Sequence, residues 1–211
     1  MENNPSSAED LKTIRKIMEE STRFLSLSGL SGIFAGTFAI LGAIAAWIII
    51  PGDSFWDVGE SLATLPGTGA GVIITKMIID AVVVLLLSVL FALFLSVSRA
   101  RKTNKKIWSP VSKRLLVSFI VPLATGGLFV VISLIQKNYS LIIPGFLIFY
   151  GLSLVNAGKF TYSEVFYLGI LEVITGLISL LFPGSGLIFW VFGFGLLHLA
   201  YGLFMYRKYE V

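Results

Sequence analysis

The sequence predicts an all-α polytopic membrane helix bundle, six transmembrane helices preceded by a cytoplasmic amphipathic helix. Three observations lead there. The chain of 211 residues is 56% hydrophobic with a mean hydropathy of +0.90, and only 13% of it is charged, against about 25% in a soluble domain. Its apolar residues gather in six runs, roughly 24–50, 77–98, 115–135, 141–157, 165–182 and 187–206, which compare with the approximately 17 to 25 residues a spanning helix needs. Its basic residues collect at the ends of these runs, where they act as topology signals. The organisation follows: a cytoplasmic arm at 1–23, a membrane domain at 24–206 and a cytoplasmic tail at 207–211.

Composition narrows the chemistry. The chain has no cysteine, which excludes disulfides, thiolate nucleophiles and Cys-ligated metals, and a single histidine excludes multi-histidine metal and haem sites. No metal and no cofactor are expected. The net charge of +4 lies mainly at helix ends, so the expected partner is the lipid bilayer and not nucleic acid.

The arm is expected to be helical. Ser6-x-x-Glu9 has the pattern of a capping box, and Glu9 and Asp10 fall where a helix dipole favours acid. Arg15 with Glu19, Lys16 with Glu20 and Glu19 with Arg23 are neighbours one turn apart, the pattern of a solvated helix that can also face a cytoplasmic protein partner. The first run far exceeds a signal-peptide core of about 7 to 15 residues, so a retained span is expected. Along arm and span, Leu11, Ile14, Met18, Ser21, Leu25, Ser28, Gly32, Ala35, Ala39, Gly42 and Ala46 recur at alternating spacings of three and four, a seam that turns from large to small residues on entering the bilayer. Ser28, Gly32, Ala35, Gly36 and Ala39 are its expected packing core; Gly32-x-x-x-Gly36 serves packing within the chain or a homodimer.

Pro66-Gly67-Thr68-Gly69-Ala70-Gly71 lacks the Lys-Ser/Thr ending of a phosphate-binding loop and is expected to be a flexible connector. Lys76 and Asp80, one turn apart at the outer end of the second span, are expected to form an ion pair. The loop from Arg99 to Arg114 carries seven basic residues and is placed in the cytoplasm, with both termini on the same side, as an even number of spans requires. Pro122 and Thr125-Gly126-Gly127 are expected to kink or interrupt the third span. Reflection about the turn at Lys159 and Phe160 levels Asn156 with Glu164, a candidate clasp at the inner interface.

The sharpest candidates are Glu172 and His198, in the matched patterns Gly169-x-x-Glu172-x-x-x-Gly176 and Gly195-x-x-His198-x-x-x-Gly202. Pro183-Gly184-Ser185 predicts a tight outer turn; reflection about it puts His198 level with Ile170, within about 3 Å of Glu172 along the axis at about 1.5 Å per residue. Both then lie near mid-membrane, where a lone ionised carboxylate is expensive, so Glu172 is expected to be neutral or to pair with an imidazolium. The flanking glycines are expected to let the two helices approach. A packing clamp and a proton-titratable element of a small transporter are the two roles the pair supports; the spans offer no nucleophile and base for an intramembrane enzyme.

The stretches 150–160 (YGLSLVNAGKF), 168–176 (LGILEVITG) and 195–202 (GLLHLAYG) resemble a group of uncharacterised six-span bacterial inner-membrane proteins. The likeness runs from Leu11 along most of the chain. It implies the fold and the bacterial inner membrane, and no activity.

Overall fold

The computed structural model describes residues 9–10, 12, 27–50, 67–102 and 108–211. Of the arm, Glu9, Asp10 and Lys12 are described and helical; the rest of the expected amphipathic helix, and the tip of the basic loop at 103–107, lie outside the described residues. Among the described residues every regular element is helical: α1 (Gly29–Ile49), α2 (Gly67–Lys102), α3 (Pro110–Ile135), a 3₁₀ turn (Tyr139–Leu141) running into α4 (Ile142–Gly158), α5 (Ser163–Ser179) and α6 (Gly186–Tyr209). Helices are the form in which an apolar chain satisfies its own backbone without water.

Local chemistry sets several boundaries. Ser109 and Ser112 cap α3 reciprocally, Ser112 N–H to Ser109 Oγ at 3.1 Å and Ser109 N–H to Ser112 Oγ at 2.8 Å, with Pro110 at the first helical position. Pro122 does not interrupt α3, which continues to Ile135. The glycine-rich segment from Gly67 is not a connector: α2 already begins there, one continuous helix of 36 residues. At the far end of α5, Leu181 and Phe182 N–H groups turn back to Ile178 and Ser179 at 2.9 and 3.2 Å, and Gly184 takes φ 103°, a left-handed conformation that favours glycine.

Five helices are long and apolar enough to cross a membrane: α1, α2 from Gly71, α3, the segment Tyr139–Gly158, and α6. The sixth expected span, α5, is shorter at 17 residues, because the last part of its apolar run winds into the turn before Gly184.

The helices are arranged so that α2 rests on α1, α1 on α6, α6 on α4 and α5, and α3 on α4, with the most extensive contact between α4 and α5. The edge position of α2 and α3 is visible in their apolar windows, 6% and 11% buried, against 44% for α4. Close approach is made by glycine. On α1, a Cβ at Gly32 would lie 2.9 Å from the Cα of Gly202, and one at Gly36 would lie 2.7 Å from the Gly195 carbonyl oxygen. Between α4 and α5, a Cβ at Gly151 would lie 2.7 Å from the Gly169 carbonyl oxygen, and one at Gly169 would lie 2.6 Å from that of Gly151.

The expected small seam is present with its phase corrected. Ser28, Gly32, Gly36 and Ala39 are buried, while Ala35 is only partly so, and the buried set continues through Ala43 and Ala46. Gly42 turns to another neighbour, Val84 of α2, beside which Phe34 and Phe38 meet Phe91 at 5.1 and 5.2 Å between ring centroids. An all-small sequence does not reveal that two separate faces of α1 are packed.

Gly32→Leu should therefore destabilise the protein in detergent by about 1 to 3 kcal/mol, as overpacking does at a close contact, and Ala35→Leu by less. Gly127, whose Cβ position has nothing within 4 Å, should accept alanine with no loss. Thermal unfolding of the three variants checks this; equal losses at Gly32 and Gly127 would refute the seam.

Candidate functional site: a buried Glu–His–Tyr cluster

Glu172, on the middle of α5, is 0% exposed, and His198 on α6 is 5% exposed. Their side chains meet: His198 Nδ1 lies 3.2 Å from Glu172 Oε1. The expected juxtaposition is present, but the flanking glycines serve other contacts. Gly169 and Gly176 face α4, and Gly195 and Gly202 face α1. The glycine that admits the carboxyl group is Gly193, where a Cβ would lie 2.7 Å from Glu172 Oε2 and 2.5 Å from Leu147 Cδ2.

Gly193 belongs to a π-helical segment, Val191–Leu197, inserted immediately before His198. The wider turn sets the Gly193 carbonyl, five residues back, 3.2 Å from His198 Nδ1. On the other side of the ring, Nε2 is 2.9 Å from the hydroxyl of Tyr150 on α4. The network assigns the ring protons. A carbonyl only accepts, so Nδ1 donates to Gly193, and in the neutral ring Nε2 accepts from Tyr150. Glu172 Oε1 is within ion-pair distance of Nδ1 yet out of line with this bond, and neither carboxyl oxygen has a hydrogen-bond partner among the described residues. A buried acid with this environment is costly to hold as a bare carboxylate.

Aromatic rings close over the outer side of the cluster. Tyr150 packs on Phe119 of α3 at 6.1 Å and on Phe194 at 5.3 Å, and Phe194 on Trp190 at 4.7 Å. Trp190 Nε1 donates to the Ala39 carbonyl at 3.1 Å, which ties this face to α1. A shallow groove lined by Ala200, Leu203, Phe204, Arg207 and Lys208 runs along the surface of α6, apart from Glu172 and His198.

The other sequence candidates are arranged differently from expectation. Asn156 and Glu164 form no clasp. Glu164 accepts instead from Lys208 Nζ at 2.6 Å and Tyr209 Oη at 3.0 Å, because the last turn of α6 lies over the start of α5. Lys76 and Asp80 are not paired: Lys76 is exposed, whereas Asp80 Oδ2 turns toward α1, 3.5 Å from the Cβ position of Gly42. The gap left by glycine lets Asp80 lean inward, away from its neighbour one turn back.

Sequence reasoning missed Tyr150 as a member of the site, although a signal existed: the reflection that levels Asn156 with Glu164 also levels Tyr150 with Ile170, at the depth of His198. It also missed a second polar cluster at the end of the bundle. Arg99 on α2 donates to Glu210 Oε1 at 2.7 Å, to the Leu27 carbonyl at 2.6 Å and to the Tyr209 carbonyl at 2.9 Å. Glu210 also accepts from the Gly29 N–H and, at 3.2 Å, from Ser28 Oγ, so its charge sits on the N-terminus of α1 where the helix dipole favours it. No local pattern marks a contact spanning 111 positions.

Comparison with protein-family models, with curated proteins and with solved structures gives no significant match.

Glu164 lies just before the apolar run of α5. Partial burial raises its carboxyl, but hydrogen bonds from Lys208, its own backbone and Tyr209 outweigh this and hold it below the usual carboxylate range. A lowered folded value means that its contribution is complete above the ordinary carboxylate range and is lost as pH falls through the lowered one. Glu164→Gln should thus reduce the melting temperature by a few degrees at most at neutral pH, given the exposure of Lys208, and should flatten the acid limb of a stability–pH profile. An unchanged acid limb would refute the assignment.

Proposed function

We propose that this chain is a six-span protein of the bacterial inner membrane, structural or regulatory in role, in which Glu172 and His198 clamp the interior of the bundle. The observation that carries the reading is the complete burial of Glu172 against Gly193, Leu147 and His198, an arrangement suited to holding helices together and not to admitting a solute. Interhelical polar contacts of this kind act as glue in a bilayer. With its 17 residues α5 reaches about 26 Å, close to a hydrocarbon thickness of about 30 Å, which supports counting it as the sixth span.

The same proposal puts both termini in the cytoplasm. The basic end of α2 and the basic end of α6 lie at the same end of the bundle, joined through Arg99 and Glu210, and the positive-inside rule assigns that end to the cytoplasm. The N-terminal arm and the basic loop then face cytoplasmic protein partners. The likeness to uncharacterised six-span inner-membrane proteins is part of the same proposal. So is the absence of enzymatic turnover, since the cluster pairs its histidine with no nucleophile of serine, threonine or cysteine type. A proton-linked transporter is the second reading, favoured by the carboxyl oxygens of Glu172, which a purely structural clamp would satisfy.

Topology is checked by labelling from outside intact cells, which is free of background because the native chain has no cysteine. Asp57→Cys should be modified and Thr103→Cys spared; the reverse would overturn the orientation. The clamp is checked by a double-mutant cycle read as thermal stability. Glu172→Gln should be milder than Glu172→Ala, and Glu172→Ala with His198→Ala should cost less than the sum of the singles, by about 0.5 to 3 kcal/mol. Proton flux in liposomes that Glu172→Gln abolishes while the fold is kept would replace the clamp with the transporter.

A further inference from the structure

We propose that Tyr150, His198 and Glu172 form an intramembrane proton-binding site, with Glu172 as the terminal acceptor and with His198 and Tyr150 as its relay to the outside of the bundle. The three groups are in series: Tyr150 Oη to Nε2 at 2.9 Å, and Nδ1 to Glu172 Oε1 at 3.2 Å. Tyr150 is partly exposed as a residue, whereas Glu172 is fully enclosed, so Tyr150 is the end of the series nearest the surface of the bundle. The Gly193 carbonyl holds Nδ1 as a donor in the unloaded state. Among the described residues neither oxygen of Glu172 has a hydrogen-bond partner, which leaves both able to take a proton.

Loading balances without any group from outside except the incoming proton, supplied by hydronium or a protonated buffer. A proton bonds to the Tyr150 oxygen as its original O–H breaks and an Nε2–H bond forms; the Nδ1–H bond then breaks as an Oε1–H bond forms. Glu172 changes from carboxylate to carboxylic acid, and His198 stays neutral, ending as the other tautomer. Unloading runs back along the same bonds. In the loaded state the acid donates to Nδ1, Nε2 donates to the Tyr150 oxygen, and no net charge is left inside the bilayer, which the low dielectric favours. Among the described residues, the groups facing the site are Gly193, Phe194 and His198 from α6, Leu147 and Tyr150 from α4 and Phe119 from α3, while Tyr201 of α6 packs against the same apolar cluster as Tyr150. None is a cation that would hold Glu172 ionised.

The site extends the clamp reading and is separable from it. Infrared spectra of the full chain in detergent, moved from H₂O to D₂O, read the C=O stretch of a protonated carboxyl group. Wild type should show the band, Glu172→Gln should lack it, and Tyr150→Phe should keep it while slowing its deuterium shift by about tenfold or more, as loss of a positioned proton-transfer group does. Asp80, the other carboxyl group within the spans, is assigned by Asp80→Asn, which also identifies the band by elimination should Glu172→Gln fail to fold. Absence of a band belonging to Glu172, or a deuterium shift equally fast in Tyr150→Phe, overturns the proposal. The second result with Glu172 and His198 still coupled leaves the clamp standing, whereas additive losses remove the clamp and with it the Nδ1–Oε1 step on which the relay depends.

Discussion

The bundle depends on how closely α6 approaches its neighbours. In a bilayer the hydrophobic effect does not press one apolar helix on another, so association comes from van der Waals contact and from polar groups that find each other. Glycines on α1 and α6 bring backbone against backbone, with the Cβ position of Gly202 lying 2.7 Å from the Gly29 carbonyl oxygen. Once α6 is seated there, its remaining faces are committed. His198 points at α5 and α4, and the last turn places Lys208, Tyr209 and Glu210 over the ends of α5, α2 and α1. One helix thus carries a dry glycine face, a buried polar face and a charged end.

The polar face has a backbone cause. A regular helix through Val191–Leu197 would follow a different path; the π-helical segment widens the turn, brings the Gly193 carbonyl to the imidazole and presents a glycine Cα to the Glu172 carboxyl. Such segments store unfavourable geometry and occur often at functional sites. Here the wide turn coincides with an acid that has no hydrogen-bond partner among the described residues, and this coincidence is what the proposed proton site rests on.

The charged end shows a different economy. Arg99 with Glu210, shielded from water, and Lys208 with Glu164, at the surface where water weakens the pair, close three helix ends with one C-terminal turn. Glu210 does double duty, binding Arg99 and capping α1. This explains why a tail that reads as a simple topology signal is instead part of the tertiary structure.

Much of the molecule was legible from composition and spacing. Apolar run length and the scarcity of charge determine helices in a membrane, because an unsatisfied backbone in lipid is too costly for any other form. The Glu172–His198 level was legible too, since a tight turn at Gly184 makes depth a matter of counting. What counting does not supply is azimuth. A helix of small residues such as α1 has no marked face, so the seam's phase, the burial of Gly36 over Ala35 and the turning of Gly42 to α2 were decided by packing. Which glycine serves which neighbour was decided in the same way: those around Glu172 and His198 open the way to α4 and α1, and among the described glycines it is Gly193 that makes room for the acid. The partners of Tyr150, Glu164, Asp80 and Glu210 belong to tertiary structure as well, because each lies on a different helix or end from the residue it meets, and rotation about helix axes, which no spacing in one chain encodes, sets those meetings.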